Sequence, residues 1–423
     1  MALFDELNWR GFIKQMTHEE LPGILDKESL RFYCGFDPTA DSLHIGSLLP
    51  IMGLAHFQRH GHRPIALVGG GTGLIGDPSG KTQERNMLDL EDVARNVEGI
   101  RGQLERFLDF DGENAAVLLN NADWLCEIKL LDFLRDIGKY FSINMMLNRD
   151  SVRMRLEDRD HGISYTEFSY ILLQSYDFLY LNEKYDCRLQ VGGADQWGNI
   201  VSGMDLARRL RNASTYGLTF PLVTKADGAK FGKSEGGNVW LDAERTSPYK
   251  FYQFWMNQTD ADVGKYLRYF TFLPREQIED LDRQVEEAPH ERTAQRTLAE
   301  AVTRLVHGET AFANAVAASK AMFGGDLFAL DERTLHEIFD EMSSTEFPKS
   351  VLQQNRLLLD VLVEAKVFAS KGEARRLVRN GGLYINNQRV DTEDQKMSET
   401  FLLAGNMSVV RTGKKNYYLL KFV

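Results

Sequence analysis

The sequence lacks the features of membrane, secreted and fibrous proteins. It has no run of about 18 apolar residues, the length that a membrane-spanning helix needs. The N-terminal segment MALFDELNWRGF has no basic start followed by an apolar core, so we expect no signal peptide. Only three cysteines are present, without a CxxC pair or an obvious metal cluster, which favours reduced thiols in a cytoplasm. With 43% hydrophobic and 26% charged residues, the chain is neither disordered nor fibrous.

Charge is distributed unevenly along the chain. The 423 residues carry a net charge of −11, which by itself argues against a nucleic-acid partner. From Lys366 to the end, however, 11 lysines and arginines face only 5 acidic residues. A basic tail module on an acidic body is therefore predicted, and the length suggests about three domains at roughly 150 residues each.

Short apolar runs alternate with helical patterns in the first half of the chain. Arg31–Cys34, Ile65–Val68, Ala116–Leu119 and Leu189–Val191 have the pattern of buried strands, and Leu43–His60 has that of a helix. This alternation predicts an α/β fold with a doubly wound parallel sheet. Ligands of such sheets bind beyond the carboxyl ends of the strands, so the segments that follow the strands are the place to look for chemistry.

The pattern changes twice in the second half. Pro248–Met342 is almost entirely helical in pattern, Ser343–Ser350 with its proline predicts a linker, and short strands follow, with Asn386-Asn387 as a hairpin turn. We therefore predict a sheet domain over 1–225, a helical domain over 226–342, a linker over 343–350 and a basic C-terminal domain over 351–423.

Gly71–Gly76 matches the GxGxxG pattern of dinucleotide-binding loops. Such a loop must lead directly into a helix whose N-terminus holds pyrophosphate. Asp77 and Pro78 follow at once, which makes a continuous helix unfavourable. A nicotinamide (NAD)-dependent oxidoreductase is kept as an alternative on this motif alone.

Two other segments have the composition of phosphate-binding sites. His44 and Ser47 lie three residues apart at a predicted helix start, where backbone donors and the helix dipole favour phosphate, and Gly46 leaves the backbone open to a flat group. Lys230 and Lys233 lie on a glycine-flanked loop, where they could neutralise phosphates. An ordinary helix cap and a solvated basic loop are the alternatives.

A polar stripe follows one face of the predicted helix Ser164–Leu181, which begins with the capping box S-x-x-E. Tyr170, Gln174 and Asp177 fall within about 60° of one another at roughly 100° per residue. Buried polar groups need partners, and the flanking residues are apolar. We therefore favour a polar ligand pocket over a surface stripe.

Paired glycines and a carboxylate follow the predicted strand Leu189–Val191. Gly192 and Gly193 permit close approach of a ligand, and Asp195 can accept hydrogen bonds from ribose hydroxyls. The tail has a second capping box, at Ser370, and its helix and a later turn carry six basic side chains that favour a phosphate-backbone contact surface over a solvated helix face. These are Lys371, Arg375, Arg376, Arg379, Lys414 and Lys415.

Together these motifs resemble those of the bacterial-type tyrosyl-tRNA synthetases, a family of class I aminoacyl-tRNA synthetases. HIGS at 44–47 resembles the HIGH motif, and KFGKS at 230–234 resembles the KMSKS loop. YCGFDPTADSLHIG at 33–46, TEFSYxLLQxYDF at 166–178 and GGxDQWGN at 192–199 are similar to tyrosine-specific members. The resemblance covers essentially the whole chain. It implies a Rossmann-like catalytic domain, a helical anticodon-recognition domain and a small α+β RNA-binding module.

The resemblance also implies an activity and its residues. The family activates L-tyrosine with ATP to tyrosyl-adenylate and pyrophosphate, then transfers tyrosine to the 3′ end of tRNA(Tyr). The implied tyrosine contacts are Tyr33 and Asp177 at the hydroxyl, Asp77, Tyr170 and Gln174 at the ammonium, and Gln196 near the carboxylate. The implied ATP contacts are Cys34, Asp37, Thr39, His44, Gly46, Gly193, Asp195, Lys233 and Ser234. The implied catalytic residues are His44, Ser47, Lys81, Arg85, Lys230 and Lys233. The tRNA contacts are the six basic residues of the tail.

Further expectations concern partners and departures from the family. ATP is expected with Mg²⁺ and without a resident metal site, and the family is homodimeric. Leu130, Leu134, Ile137 and Phe141 would contribute to the dimer interface or, alternatively, to the intramolecular core. Ser47 stands where the commoner motif has histidine, which leaves a catalytically idle RNA-binding paralogue as an alternative. Tryptophan as the substrate is disfavoured, because indole presents one donor and no acceptor.

Overall fold

The structure is a computed structural model that describes residues 2–79, 88–157, 162–229, 231–234, 237–321, 324–339, 342–413 and 416–423. The chain forms two compact units. The first unit comprises Met1–Thr246 and Gln258–Val306, and the second comprises Ser247–Asn257 and His307–Val423.

A six-stranded sheet lies at the centre of the first unit. Its strands are β1 Gln15–Met16, β2 Arg31–Phe36, β3 Arg63–Val68, β4 Val117–Asn120, β5 Cys187–Gly193 and β6 Tyr216–Phe220. Their order is β1-β6-β5-β2-β3-β4, with β2 to β6 parallel and β1 antiparallel to β6. Because the chain progresses in opposite directions from β2, the sheet has a switch point between β2 and β5. The predicted α/β, doubly wound sheet is confirmed.

Ten helices precede or connect these strands in the described part of the chain. They are α1 Leu3–Arg10, α2 Leu21–Lys27, α3 Leu48–Arg59, α4 Leu90–Leu104, α5 Ala122–Leu125, α6 Leu130–Asp136, α7 Ile143–Leu147, α8 Asp150–Glu157, α9 Tyr165–Tyr185 and α10 Trp197–Arg211. The predicted cap of α9 is confirmed, because Ser164 accepts a hydrogen bond from the Glu167 backbone N–H. The helix predicted to start at Leu43 starts later, since Ile45–Ser47 forms a 3₁₀ turn before α3.

The remaining elements lie between residue 233 and the end of the chain. A short hairpin consists of β7 Lys233–Ser234 and β8 Gly237–Asn238. The helices are α11 Pro248–Met256, α12 Asp260–Phe270, α13 Arg275–Glu287, α14 Thr293–Ala321, α15 Glu332–Phe339, α16 Leu358–Glu364 and α17 Lys371–Arg379. Gly308, at φ 83° and ψ 174°, breaks the regular helix inside α14.

The segment predicted as one helical domain, 226–342, is divided between the two units. Gln258–Val306 packs with the sheet unit, whereas His307 and the residues after it belong to the second unit. Part of the reason is Arg10, whose buried guanidinium donates to the carbonyl oxygens of Arg268, Thr271 and Leu273 at 2.8–3.1 Å. These bonds attach the end of α12 to α1.

A five-stranded sheet lies in the second unit. Its strands are β9 Ser344–Phe347, β10 Leu383–Ile385, β11 Gln388–Arg389, β12 Met407–Thr412 and β13 Asn416–Phe422, in the order β11-β10-β12-β13-β9. The predicted hairpin is confirmed, with Asn386 and Asn387 at φ 49° and 63° in its turn. The predicted linker 343–350 instead contains β9, because Phe347 is buried and stacks on Phe422 while β9 pairs parallel with β13.

No helix among the described residues combines the length and apolar character needed to cross a bilayer.

His56, a buried histidine of α3, packs beside the acidic side chain of Glu6. Glu6 accepts from Arg10 at 2.9 Å and lies 3.6 Å from Nδ1 of His56 and 3.3 Å from Nε2 of His60. Burial lowers the pKa of His56 to about 3. The hydrogen bond from His60, followed by that from Arg10, lowers the pKa of Glu6 to about 2 against the opposing effect of burial. The folded state therefore holds His56 neutral across the mildly acidic range.

This burial predicts a loss of stability in acid. Since the pKa of His56 falls from 6.5 to about 3 on folding, its stabilising contribution is present above pH 6.5 and is lost as the pH drops below that value. The loss is expected to reach about 1.4 kcal/mol per pH unit from this group. Urea unfolding at pH 7 and pH 5 measures it. His56→Gln should reduce the difference, whereas His290→Gln, a change at an exposed histidine, should not.

Candidate active site

A cavity of about 340 Å³ opens at the carboxyl ends of β2 and β5, where the sheet has its switch point. Its wall includes Tyr33 to Asp37, at the end of β2 and just after it, and the end of β5 with Asp195 and Gln196, which follow that strand. Side chains of α9 and the loop after β3 complete it. The cavity therefore lies at the edge of the sheet where the sequence predicted a ligand site.

The base of the cavity holds a buried carboxyl group. Asp177 is 2% exposed, and its two oxygens accept from Asn121 Nδ2 at 2.9 Å and from Trp124 Nε1 at 2.8 Å. Burial raises the pKa of Asp177 to about 8, although both hydrogen bonds act to lower it. Trp124 is itself stacked on Tyr180 at 4.4 Å, which holds the indole N–H in place.

Tyr33, a residue of β2, lies beside the Asp177 carboxyl group. Its side chain is 1% exposed, and its hydroxyl has no hydrogen-bond partner among the described residues. Burial, followed by the Asp177 charge, raises the pKa of Tyr33 well above its ordinary value, so the hydroxyl is neutral. An unpaired buried hydroxyl costs roughly 1–3 kcal/mol, so the Tyr33 hydroxyl can still bond a polar group that enters the cavity.

A second polar group lines the side wall. The Asp77 carboxylate is 7% exposed and accepts from Gln196 Nε2 at 2.6 Å and from the Ser79 backbone N–H at 2.9 Å. Gln174 Nε2 donates to Gln196 Oε1 at 3.2 Å. Asn199 Nδ2 in turn donates to Gln174 Oε1 at 2.8 Å.

Tyr170 completes the polar stripe predicted on α9. Its hydroxyl donates to Asp37 Oδ2 at 2.8 Å, and Thr72 Oγ1 donates to Asp37 Oδ1 at 2.8 Å. Because the Tyr170 proton points to Asp37, the lone pairs of its oxygen remain available to a donor in the cavity. Tyr170, Gln174 and Asp177 all line the cavity, which confirms the predicted polar pocket.

The glycines after β3 have a packing role. Thr72–Leu74 forms a single 3₁₀ turn, and Gly76 follows at φ 86°, so no helix starts there. A Cβ on Gly69 would lie 2.2 Å from Asp37 Oδ1, and one on Gly70 would lie 2.2 Å from Asn120 Oδ1. The glycines admit polar side chains of the protein itself, and the NAD-binding alternative from Gly71–Gly76 lacks the helix that it requires.

The HIGS segment has its own local structure. His44 caps the 3₁₀ turn, with Nδ1 accepting from the Gly46 backbone N–H at 2.9 Å. A Cβ on Gly46 would lie 2.6 Å from the His44 ring, so this glycine makes room for the imidazole, and Gly46 also lines the cavity. With Nδ1 as the acceptor, a neutral His44 carries its proton on Nε2.

The segment after the KFGKS motif pairs with this turn. The Ile45 backbone N–H donates to Val239 O at 2.9 Å, and the Leu241 N–H donates to Leu43 O at 2.8 Å. Phe231 is buried and stacks on Phe270 at 5.4 Å, which anchors the motif on α12. The two signature motifs are therefore neighbours in space although nearly 190 residues separate them in the chain.

Several implied nucleotide contacts lie at the cavity wall or mouth. Gly193 is required beside Asp195, because a Cβ there would lie 2.5 Å from Asp195 Oδ1. Burial raises the pKa of the Cys34 thiol to about 12, so Cys34 can offer only a neutral S–H. Thr39 and Ser47 line the cavity as well, together with His44 and Asp37.

Some implied residues cannot be placed. Lys81, Arg85, Lys230, Lys414 and Lys415 lie outside the described residues. Lys233 and Ser234 form β7, but their side chains are outside the described part. Among the described residues, no group of three or more histidines, cysteines and acidic residues could hold a metal ion.

The structure adds site residues that the sequence analysis missed. Asn121, Trp124, Thr72 and Asn199 each bond a side chain that lines the cavity. Asn121 follows β4 directly, so its position at the carboxyl end of a strand was the available signal. Trp124 and Thr72 gave no signal in the sequence, and Asn199 was visible only as the last letter of GGxDQWGN.

The predicted basic face of the tail is present on α17. Lys371 pairs with Asp360 at 2.7 Å, while Arg375 and Arg379 approach Glu393 at 3.3 and 2.7 Å. The side chains stay 53–70% exposed, so these pairs leave the guanidinium groups accessible to solvent. Arg376 is exposed on the same helix.

Comparisons with known proteins place the chain in a family. A family model described as class I tRNA synthetases (W and Y) matches residues 25–324, and one described as the C-terminal domain of SYY-like tyrosine–tRNA ligases matches 334–420. A tyrosine–tRNA ligase of Roseiflexus castenholzii is 53% identical over 424 residues, covering 100% of both chains. One of Staphylococcus carnosus is 53% identical over 422 residues, covering 99% of both.

A solved structure gives the same result. The C-terminally truncated mitochondrial tyrosyl-tRNA synthetase of Coccidioides posadasii is similar with a TM-score of 0.66 and 33% identity, covering 74% of this chain and 91% of that chain. Since the first family match spans more than half of the chain, and the curated relatives span nearly all of it, this chain belongs to the class I tRNA synthetases of the W and Y group, among the tyrosine–tRNA ligases of the bacterial type.

Proposed function

We propose that this tyrosine–tRNA ligase recognises its amino acid through Tyr33 and Asp177. The observation that supports this is the buried, unpartnered Tyr33 hydroxyl beside a carboxyl group at the base of the cavity. A phenolic hydroxyl can donate to Asp177 and accept from Tyr33 at once. Phenylalanine would leave both groups unpaired, and indole has no acceptor for the Tyr33 proton.

Tyr33→Phe tests this assignment. We expect kcat/KM for tyrosine to fall about tenfold in amino-acid-dependent ATP–pyrophosphate exchange, because one neutral hydrogen bond is lost. The value for phenylalanine should not fall. The ligand-free variant should be no less stable than the parent, because the change removes an unsatisfied buried hydroxyl.

Tyr269→Phe is the matched control, since Tyr269 is also buried but packs against Phe12, away from the cavity. It should leave kcat/KM for tyrosine within about twofold. An equal loss for tyrosine and phenylalanine in Tyr33→Phe would contradict the assignment. Absence of exchange in the parent protein with any amino acid would instead favour the idle RNA-binding paralogue.

The substrate ammonium is proposed to bind Asp77, Tyr170 and Gln174. Each offers an acceptor to the cavity: the Asp77 carboxylate, the Tyr170 oxygen whose proton points to Asp37, and Gln174 Oε1. Gln196 would lie near the substrate carboxylate. Bound in this way, the substrate would turn its carboxylate toward the residues that we propose for the nucleotide.

The chemistry requires no nucleophile from the protein. The tyrosine carboxylate oxygen forms a bond to the α-phosphorus of ATP as the bond to the pyrophosphate oxygen breaks. The 2′- or 3′-hydroxyl of the tRNA end then takes the tyrosyl group and releases AMP. Rate enhancement comes from orientation and from donors directed at the transition state. We propose Cys34, Gly193 and Asp195 at the ribose.

His44 is proposed to stabilise the α-phosphate in the transition state, with Asp37, Thr39 and Gly46 near the nucleotide. Lys81, Arg85, Lys230 and Lys233, with Ser234, would hold the departing pyrophosphate. Mg²⁺ would arrive with the ATP phosphates. Ser47 takes a smaller part, since its hydroxyl offers one neutral hydrogen bond worth about 2 kcal/mol at most.

The second half of the chain is proposed to recognise tRNA. We assign anticodon recognition to 226–342 and phosphate-backbone contacts to the domain over 351–423, through α17 and the Lys414-Lys415 pair. The support is the exposed row of arginines on α17. Arg375 and Arg379 both pair with Glu393, which holds these two side chains close to each other.

Removing this row should weaken tRNA binding in a salt-dependent way. The triple variant Arg375→Ala, Arg376→Ala, Arg379→Ala should flatten the slope of log affinity against log salt by about 2, because up to three phosphate contacts are lost. Pyrophosphate exchange should be unchanged. The double variant Arg95→Ala, Arg101→Ala on α4, where both side chains are also exposed and paired, is the control. An unchanged slope in the triple variant would contradict the assignment.

Two assignments concern the whole protein. We propose a homodimer that uses Leu130, Leu131 and Leu134, which are 43–78% exposed on α6. Ile137 and Phe141, predicted with them, pack instead against the first unit's own core. We also propose a cytoplasmic location, where the three free thiols stay reduced.

A further inference from the structure

Asn199 lies in the first turn of α10, behind the side wall of the cavity. It is 7% exposed, so its amide group is removed from bulk solvent. Its Nδ2 donates to Gln174 Oε1 at 2.8 Å and lies 3.2 Å from Gln196 Oε1 and 3.3 Å from Ser79 Oγ. One side-chain amide thus connects α9, the turn after β5 and the loop after β3.

The hydrogen bonds along this wall have a single consistent direction. The Asp77 carboxylate can only accept, so Gln196 must present its NH₂ group to it and its Oε1 to the other side. Gln174 must then donate to that Oε1, which turns its own Oε1 toward Asn199. Asn199 must therefore present its NH₂ group, because both glutamine oxygens face it.

We propose that Asn199 is a positioning residue that fixes which ends of the Gln174 and Gln196 amides face the substrate. Without this donor, Gln174 Oε1 and Gln196 Oε1 lose the partner that they share, so each amide is held only from its other side and turns at a lower cost. A turned Gln196 would place its oxygen against the Asp77 carboxylate. A turned Gln174 would present NH₂ where the substrate ammonium needs an acceptor.

This inference rests on the proposal that Asp77, Tyr170 and Gln174 hold the ammonium group of tyrosine. It differs from a purely structural role in its prediction for an isosteric change. If Asn199 only filled space, Asn199→Asp would be the mildest substitution, since it conserves volume. If Asn199 acts as a donor, Asn199→Asp should be the most damaging, because it places a third acceptor against two glutamine oxygens.

The experiment compares Asn199→Asp, Asn199→Ala and Gln174→Ala by pyrophosphate exchange, with tyrosine and ATP varied separately. We expect KM for tyrosine to rise about tenfold in Asn199→Ala and about a hundredfold in Asn199→Asp, with KM for ATP within about threefold of the parent. A larger rise in KM for tyrosine in Asn199→Ala than in Asn199→Asp would overturn the inference. Equal rises in KM for tyrosine and KM for ATP would overturn it as well.

Two controls keep the outcomes separate. Asn182→Ala removes another buried asparagine, whose Nδ2 donates to Cys187 O at 3.0 Å, and should leave KM for tyrosine within about twofold. If Gln174→Ala leaves KM for tyrosine unchanged, the ammonium assignment fails and this inference fails with it. If Gln174→Ala raises it but both Asn199 variants do not, only the inference fails.

Should Asn199→Asp not fold, a double-variant comparison decides. Asn199→Ala should raise KM for tyrosine about tenfold in the parent but only about threefold when Gln174→Ala is already present, because Asn199 acts partly through Gln174. Strictly multiplicative effects would contradict the proposed route.

Discussion

Asp177→Ala is expected to lower kcat/KM for tyrosine about a thousandfold in pyrophosphate exchange. The Asp177 carboxyl group accepts from Asn121 and Trp124, and we propose that it also accepts from the substrate hydroxyl. Its removal leaves three donors without an acceptor in a site where water has little access. At roughly 1–3 kcal/mol for each unsatisfied buried donor, partly relieved by a water molecule in the vacated space, the loss amounts to about 4 kcal/mol.

Asp177→Ala should change the preference for tyrosine over phenylalanine more than it changes kcat/KM for phenylalanine. Phenylalanine makes no hydrogen bond to Asp177, so its kcat/KM should fall far less than that of tyrosine, and the preference for tyrosine should shrink by about two orders of magnitude. Asp177→Asn should also be damaging, because its NH₂ group would face either Trp124 Nε1 or Asn121 Nδ2, which are both donors.

The control for Asp177 is Asp186→Asn at the exposed end of α9, where φ is 52°. The same chemical change there should leave kcat/KM within about twofold, since asparagine also adopts this left-handed conformation. If Asp177→Ala retained more than a tenth of the parent kcat/KM with an unchanged preference for tyrosine, the carboxylate would not be the recognition element.

His44→Ala is expected to lower kcat for adenylate formation by about two to three orders of magnitude, with KM for tyrosine nearly unchanged. The reason is that a donor directed at developing charge acts in the transition state and little in the ground state. Rapid-quench or fluorescence measurements of adenylate formation on the isolated protein, without tRNA, measure this step separately from transfer.

The local geometry of His44 makes a finer prediction. Because Nδ1 accepts from the Gly46 N–H, the outward donor is Nε2. His44→Gln places an amide N–H near the position of Nε2 and should retain about ten times more activity than His44→Ala. His44→Asn, which reaches only the Nδ1 position, should resemble the alanine variant.

His290→Ala is the matched control for His44, since both imidazoles are exposed. Its kcat should remain within about twofold of the parent. If His44→Ala instead raised KM for ATP and left kcat unchanged, the imidazole would bind ATP in the ground state and would not act on the transition state.

Much of this protein was predictable from the sequence because the relevant signals are local. The parallel strands before Gly69 and Gly192, the Ser164 cap and the Asn386-Asn387 turn each depend on residues that are near one another in the chain. The motif letters likewise predicted the family and placed Tyr170, Gln174 and Asp177 on one face, since helical periodicity is a local property.

What the sequence could not supply was the partner of each polar side chain. Asn121 lies 56 residues from Asp177, and Ser79 lies 120 residues from Asn199, so only the folded sheet brings them within hydrogen-bond distance. The same holds for exposure on α6 and after it, where Leu130 faces solvent but Ile137 packs in the core, because packing neighbours decide which apolar residues are covered. It also holds for Ser344–Phe347, which is a strand only because β13 lies beside it. The sequence by itself determined the family, the order of elements and the identity of the motif residues. The tertiary structure alone decided the directions of the hydrogen bonds among those residues, since a hydrogen bond depends on distance and angle in space and not on separation along the chain.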